Sequence, residues 1–183
     1  MNLPNRLTVL RVILIPFFVF FMLNDIPAGY GKWVALVIFV AASLTDMADG
    51  KLARKYNLIT NFGKFMDPLA DKLLVSAAFI CLVGMGKIAS WIVITIISRE
   101  FIISGFRLVA AEKGVVISAG YLGKLKTVFQ MIAVVLLIAD IDHILFRVLS
   151  VIAVYAALIL TVVSLVDYLY KNRNVMTDDD HLR

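Results

Sequence analysis

The sequence has few cysteines, histidines and charged residues, and these scarcities exclude several classes of protein. Cys81 is the single cysteine among 183 residues, so no internal disulfide can form. Charged residues make up 17% of the chain and hydrophobic residues 62%, whereas an average soluble domain is about half apolar. A soluble domain of this length could not bury so much apolar surface. We therefore expect lipid to cover part of it.

The apolar residues fall into six runs, each close to the roughly 20 residues that a helix needs to cross a bilayer. The connectors are short and turn-like, and neither a repeat nor a long linker divides the chain. We predict an all-α, polytopic membrane protein with one domain, 1–183, a polar tail at 171–183, and six transmembrane helices around a cytosol-facing polar cavity. The first run has no cleavage pattern and is predicted to be retained. The predicted spans are Leu7–Leu23, Lys32–Ala53, Pro68–Met85, Ala89–Ala111, Tyr121–Ala139 and Ile144–Tyr170.

The distribution of basic residues predicts the orientation. Six spans put both termini on one side, and 15 of the 18 Lys and Arg residues fall on that side or in the half-membrane beneath it. Lys32, Lys87 and Arg147 are the exceptions. Because cytosolic loops carry the excess of positive charge, the termini are predicted to be cytosolic. The basic residues are spread between spans rather than clustered on a soluble face, so nucleic acid is not an expected partner.

Four aspartates lie within the stretch SLTDMADGKLARKYNLITNFGKFMDPLADKLL, residues 43–74, which apolar runs flank on both sides. Asp46, Asp49, Gly50 and Ala53 are spaced i, i+3, i+4 and i+7, which places them on one face of a helix. That face combines two carboxylates with two very small side chains. It therefore leaves room for a ligand to lie against the helix.

The other two aspartates begin the third apolar run. Asp67 precedes Pro68, which predicts a helix N-cap followed by proline at the first helical position, and Asp71 lies one turn further on the same face. Four carboxylates at one membrane depth must protonate, pair with bases or bind cations. Their oxygens suit Mg²⁺ or Mn²⁺, and the absence of a nearby cysteine or histidine argues against zinc. Acidic residues inside a membrane usually mark a functional site.

The same stretch spells D-x2-D-G-x2-A-R-x8-G-x3-D-x3-D, and this pattern resembles the signature of the CDP-alcohol phosphatidyltransferase family. The resemblance implies an enzyme that uses an alcohol to displace CMP from a CDP-linked lipid such as CDP-diacylglycerol, with two divalent cations, Mg²⁺ or Mn²⁺. It also implies a homodimer in the lipid bilayer of the bacterial cytoplasmic membrane, with its active site facing the cytosol. The signature positions are Asp46, Asp49, Gly50, Ala53, Arg54, Gly63, Asp67 and Asp71.

Roles for individual residues follow from the resemblance. Asp46, Asp49, Asp67 and Asp71 would ligate the metals, and Asp71 would also take the proton from the attacking hydroxyl. Asn5, Thr8 and Arg11 share roughly one face of the first helix, in the region that approaches the diphosphate in the family. Without the resemblance, these three residues could equally be a helix cap and a snorkelling arginine. The implied CDP-lipid-binding residues are Asn5, Thr8, Arg11, Asp46, Gly50, Ala53, Arg54 and Gly63.

A second polar group lies in the fourth and fifth runs. Within the segments ISREFIISGFRLVAAEKG and YLGKLKTVFQ, the four cations Arg99, Arg107, Lys124 and Lys126 stand against the carboxylate of Glu100. This surplus of positive charge suits an acceptor that carries a phosphate, although Glu100 could simply pair with a neighbouring base. The R-E-F-x5-R pattern and the GKxKT run resemble those of family members that convert sn-glycerol 3-phosphate to phosphatidylglycerophosphate. The predicted acceptor-phosphate residues are Arg99, Arg107, Lys124 and Lys126.

Two other functions remain open from the sequence. A synthase of the same family could use another acceptor, such as inositol phosphate or phosphatidylglycerol. A small divalent-cation carrier would need acidic residues at more than one membrane depth. The four aspartates instead crowd one side, and the distal halves of the second and third runs carry no charge. The sequence therefore favours the enzyme.

Overall fold

The structure is a computed structural model that describes residues 3–24, 29–55, 61–112, 114, 115, 117 and 120–173. For residues 3–6, 46–55, 61–65, 67, 68 and 71 only the helical backbone is described. The described residues form six α-helices and contain no strand, which confirms the all-α prediction. The helices are α1 (Leu3–Leu23), α2 (Tyr30–Lys55), α3 (Asn61–Gly84), α4 (Ser90–Glu112), α5 (Tyr121–Ala139) and α6 (Ile144–Lys171).

The start of α3 corrects one prediction. The helix begins at Asn61, so Asp67 and Pro68 lie inside it and the predicted N-cap at Asp67 is wrong. The prediction took the start of the apolar run as the start of the helix. A helical turn of mixed polarity before that run leaves no trace in the hydrophobic pattern.

Two helices, α5 and α6, are long and apolar enough to cross a membrane, judged over the described residues. Three shorter apolar stretches, Leu7–Leu23, Tyr30–Thr45 and Lys72–Gly84, lie in α1, α2 and α3. The outer face of α6 exposes large apolar side chains along much of its length. These are Val148, Leu149, Val151, Ile152, Tyr155, Ile159, Val162, Val163 and Val166.

The chain divides into two compact units. The first comprises Met1–Ala89 and Val134–Asp142, and α1 packs against both α2 and α3 within it. Phe18 and Phe39 are fully buried there, with ring centroids 6.0 Å apart. Aromatic rings at this separation form a favourable tilted pair, so this contact joins α1 to α2.

Two lysines hold the end of α5 in the first unit. Lys87 Nζ lies 2.9 Å from the carboxylate of Asp140 and donates to the carbonyl of Leu137 at 3.3 Å. Lys32 Nζ donates to the carbonyl of Asp140, a residue with a φ of +42°. Cations at a helix C-terminus satisfy its last carbonyls and oppose the negative end of the helix dipole. These contacts therefore fix where α5 ends.

The second unit comprises Ser90–Ala133 and His143–Arg183, and α4 packs against α6 within it. Its buried residues include a group of polar and charged side chains among the apolar ones. Those at most 8% exposed are Arg99, Lys126, Gln130, Thr161, Ser164 and Tyr168. Buried polar groups are costly unless they are paired, so their arrangement decides what this unit can bind.

Candidate functional site

The four aspartates fall on two helices of the first unit. Asp46 and Asp49 lie three residues apart on α2, and Asp67 and Asp71 lie four residues apart on α3. Each pair therefore belongs to one side of its helix. Both helices pack against α1. The aspartate side chains lie outside the described residues, and among the side chains that are described no group of three His, Cys, Asp or Glu could hold a metal.

The remaining signature positions are on the same two helices. Gly50, Ala53 and Arg54 lie in the last turns of α2, and Gly63 lies in the first turn of α3. Their surroundings are outside the described part of the chain. The predicted roles of these residues at the nucleotide therefore stay predictions.

Thr8 and Arg11 lie on α1 and are both 2% exposed. A snorkelling arginine would extend its guanidinium into water, so this burial excludes that alternative. Each residue also has an interaction partner in the structure. Asn5 falls in the first turn of α1, with its side chain outside the description. The structure therefore places a buried cation on an apolar helix, where its burial has to be offset by a partner.

The second unit contains a cavity of about 130 Å³, which has room for several water-sized groups. Side chains from α4, α5 and α6 line it together with Gly120. The lining residues are Arg99, Glu100, Arg107, Gly120, Leu122, Gly123, Lys126, Thr127, Ser164, Asp167 and Tyr168. The structure thus brings together three of the four predicted acceptor-phosphate residues.

The charges around this cavity do not cancel. Glu100 pairs with Lys126 and lies 3.6 Å from Arg99 Nη1, so the predicted pairing of Glu100 with a neighbouring base is present. Asp167 also lines the cavity, but Lys171 lies 2.8 Å from its carboxylate and balances it. The lining thus holds three cations, Arg99, Arg107 and Lys126, against the two carboxylates of Glu100 and Asp167, a net charge of +1. Because Lys171 from outside the lining already pairs with Asp167, positive charge is in surplus at the cavity.

Arg107 is held against an aromatic ring. Its guanidinium carbon lies 5.7 Å from the centroid of the Tyr168 ring, and the Phe106 ring meets Tyr168 edge-on at 5.7 Å. A guanidinium within about 6 Å of an aromatic face is attracted by the ring quadrupole. The two contacts fix the Tyr168 ring beside the cavity.

Three buried donors at the cavity have no hydrogen-bond partner among the described residues. They are Nε of Arg99, Nε of Arg107 and the hydroxyl of Tyr168. Leaving such a group unsatisfied costs about 1–3 kcal/mol, and more for a charged group. Donors that converge on one cavity together with a surplus of positive charge are suited to an anionic ligand with several acceptor oxygens.

Lys124 does not line this cavity. It is exposed on α5, two residues before the buried Lys126. Side chains two residues apart on a helix are separated by about 200° around the helix axis. The GKxKT run therefore does not place Lys124 and Lys126 at one site. Within the described part of the chain, Lys124 is therefore separate from the other three predicted residues.

The prediction from sequence missed several polar residues of this unit. Ser164 and Tyr168 line the cavity from α6, while Thr161 and Gln130 are buried next to them in the hydrogen-bond network. The spacing of polar residues in α6 could have indicated them from the sequence. Thr161, Ser164 and Tyr168 are spaced i, i+3 and i+7, which puts three polar side chains on one face of an otherwise apolar helix.

Comparison with known proteins identifies the family. Residues 1–163 match the family model for CDP-alcohol phosphatidyltransferase, and the chain therefore belongs to that family. A Bacillus subtilis (strain 168) protein named CDP-diacylglycerol–glycerol-3-phosphate 3-phosphatidyltransferase is 46% identical, covering 93% of this chain and 95% of its own length. Proteins with the same name from Rickettsia typhi and Sodalis glossinidius are 43% and 39% identical, over 75% and 95% of this chain and 76% and 96% of their own lengths.

Proposed function

We propose that this protein transfers the phosphatidyl group of CDP-diacylglycerol to sn-glycerol 3-phosphate, forming phosphatidylglycerophosphate and releasing CMP. The names of its relatives supply the reaction, and those relatives match this chain over most of its length. The oxygen of the acceptor's C1 hydroxyl forms a bond to the lipid-linked phosphorus. The bond between that phosphorus and the oxygen of CMP breaks, and the hydroxyl proton passes to a base.

The cavity of the second unit is the observation that carries the choice of acceptor. Its surplus of positive charge, three cations against two carboxylates of which Asp167 is already paired with Lys171, suits an anionic phosphate monoester. Arg99 and Arg107 offer unpartnered Nε–H groups, and the Tyr168 hydroxyl adds a neutral donor.

The first unit is proposed to bind the CDP-lipid. Asp46, Asp49, Asp67 and Asp71 would hold two divalent cations, because carboxylate oxygens are the ligands that Mg²⁺ and Mn²⁺ prefer. When bound, such ions supply the positive charge that a diphosphate among carboxylates requires. The buried Thr8 and Arg11 support a polar site on α1. The proposed nucleotide residues are Asn5, Thr8, Arg11, Asp46, Gly50, Ala53, Arg54 and Gly63.

Asp71 is proposed as the general base that accepts the hydroxyl proton. Carboxylates serve as bases when they can reach the proton, and such a group typically contributes 10²- to 10⁴-fold to the rate.

Lys124, although exposed, stays a proposed acceptor-phosphate residue. The Lys124→Met variant described below tests it separately from Lys126.

We also propose that all six helices span the membrane, with the termini and the polar cavity on the cytosolic side and with the protein working as a homodimer in the bacterial cytoplasmic membrane. The two apolar helices α5 and α6 and the bacterial relatives support membrane residence. The 15 to 3 division of basic residues supports the orientation.

An acceptor screen tests the proposed function. The purified protein is incubated with CDP-diacylglycerol, a divalent cation and one acceptor at a time, and CMP release is measured. Glycerol 3-phosphate is expected to give the highest kcat/KM, ahead of inositol phosphate, serine and phosphatidylglycerol. Preference for another acceptor would replace the proposed substrate but retain the enzyme class, and no CMP release with any acceptor would contradict the enzyme class itself.

A further inference from the structure

Gln130 and Thr161 form a buried polar pair in the second unit that lies outside the cavity lining. Gln130 on α5 is 3% exposed and Thr161 on α6 is 0% exposed. Gln130 Nε2 lies 3.4 Å from Thr161 Oγ1, and Gln130 Oε1 lies 3.4 Å from Lys126 Nζ. The pair therefore connects α6 to a lysine that does line the cavity.

The hydroxyl of Thr161 determines which way the amide faces. Thr161 Oγ1 donates to the carbonyl of Ala157 at 2.6 Å, and a hydroxyl has only one proton to donate. Toward Gln130 it can therefore only accept, so the amide nitrogen must face Thr161. The amide oxygen is then left to accept from Lys126. The hydrogen bond that the Thr161 side chain donates to the backbone of α6 thus sets the orientation of the Gln130 amide on α5.

Lys126 needs such support because its side chain is long and flexible. A lysine loses about 2 kcal/mol of rotamer entropy when it is fully ordered. Here Gln130 and the carboxylate of Glu100 both contact its ammonium before any ligand binds. A cation that is already ordered binds a phosphate without losing that entropy at the binding step.

We propose that Gln130, anchored by Thr161, is a positioning residue that holds Lys126 ready for the phosphate of the acceptor. The inference rests on the proposed function, since it assigns the phosphate of that acceptor to Lys126. Neither Gln130 nor Thr161 touches the acceptor. Their effect passes through Lys126 and is confined to acceptor binding.

Steady-state kinetics of the full chain test this inference. Thr161→Val removes the hydroxyl at nearly constant volume, and Gln130→Met removes the amide. Each is expected to raise the KM for glycerol 3-phosphate about fivefold, the range for loss of one hydrogen bond, with kcat and the KM for CDP-diacylglycerol unchanged. Thr161→Ser keeps the hydroxyl and is expected to keep the parent KM. Thr95→Val is the matched control, because Thr95 also donates to its own helix, at the Trp91 carbonyl.

A double-mutant cycle separates positioning from general packing. In a Lys126→Met background, Gln130→Met is expected to cause no further increase in KM, because the group it orients is gone. If the effects of Lys126→Met and Gln130→Met on this KM simply multiply, the inference is overturned. It is also overturned if Gln130→Met and Thr161→Val change the KM of both substrates equally, or if neither variant changes the KM for glycerol 3-phosphate.

The same variants distinguish this inference from the proposed function. If the parent protein prefers a different phosphorylated acceptor, glycerol 3-phosphate is the wrong substrate. The KM for the preferred acceptor then still tests whether Gln130 positions Lys126. If no CMP is released at all, the shift in thermal unfolding caused by inorganic phosphate replaces KM. The phosphate-induced shift in unfolding temperature is then expected to be smaller in Gln130→Met and Thr161→Val than in the parent, and unchanged in Thr161→Ser. A shift equal to the parent's in Gln130→Met and Thr161→Val would overturn the inference.

Discussion

The guanidinium of Arg107 lies over the ring of Tyr168, 5.7 Å from its centroid, while the hydroxyl of that tyrosine is buried without a partner among the described residues. Tyr168→Phe removes the hydroxyl and keeps the ring contact. Because the hydroxyl is proposed to donate to the acceptor phosphate, the KM for glycerol 3-phosphate should rise about tenfold. The matched control is Tyr170→Phe, an exposed tyrosine that stacks with Arg173 at 5.3 Å. Equal KM values for both variants would remove Tyr168 from the site.

Lys126 and Lys124 provide a test of the cavity itself. Lys126→Met deletes a buried cation of the lining. We expect the KM for glycerol 3-phosphate to rise about tenfold to a hundredfold, as for the loss of a hydrogen bond to a charged group. Lys124→Met deletes an exposed cation outside the lining and should have a much smaller effect. Kinetics with both substrates varied measure the two. A larger effect at Lys124 would mean that the cavity is not where the phosphate binds.

Removal of divalent cations tests the proposed role of the aspartates. Treatment with EDTA is expected to stop CMP release, and Mg²⁺ or Mn²⁺ should restore it. Asp71→Asn should lower kcat by about 10²- to 10⁴-fold even with the metal present, since it removes the proposed base. Asp142→Asn, an exposed residue of the turn after α5, serves as the control. Full activity in EDTA would contradict the metal proposal without bearing on the acceptor cavity.

Two neighbouring phenylalanines of α1 test the packing of the first unit. Phe18 is fully buried against Phe39, while Phe17 is 54% exposed. Phe18→Ala in a soluble core would cost about 3–5 kcal/mol. Lipid or detergent is as apolar as the protein interior, so the transfer part of that cost is reduced and we expect about 2 kcal/mol. Phe17→Ala should change stability by less than about 0.5 kcal/mol. Thermal unfolding in detergent micelles compares them, and equal losses would contradict the described burial.

The helices were largely predictable because each contains a long run of apolar residues. The predicted fifth span, Tyr121–Ala139, coincides with α5. The start of α3 was not predictable in the same way, since the turn before Asp67 has no apolar signal and a proline at position 68 resembles a helix start. Propensity and hydropathy mark the apolar part of a helix more clearly than its polar ends.

The charged residues of the candidate site could be predicted from the sequence, because charges within apolar segments stand out. Arg99, Arg107 and Lys126 could be identified as charges in an apolar context, but the sequence could not distinguish Lys126 from Lys124. Thr161 and Ser164 were missed because most hydroxyls in apolar helices simply bond to their own backbone, as Thr95 does. Only the structure shows that Thr161 on α6 also accepts a hydrogen bond from Gln130 on α5.

The buried polar side chains of α6, Thr161, Ser164 and Tyr168, all lie toward its C-terminal end. At 1.5 Å per residue, Ser164 is about 30 Å along the axis from Ile144, so the stretch between them is about as thick as the hydrocarbon layer. If α6 spans the membrane as proposed, the enzyme would meet its water-soluble reactant at a single membrane face and would leave its product in the adjoining leaflet. New anionic lipid would then accumulate on one side first, and the opposite leaflet could acquire it only by transverse movement across the bilayer.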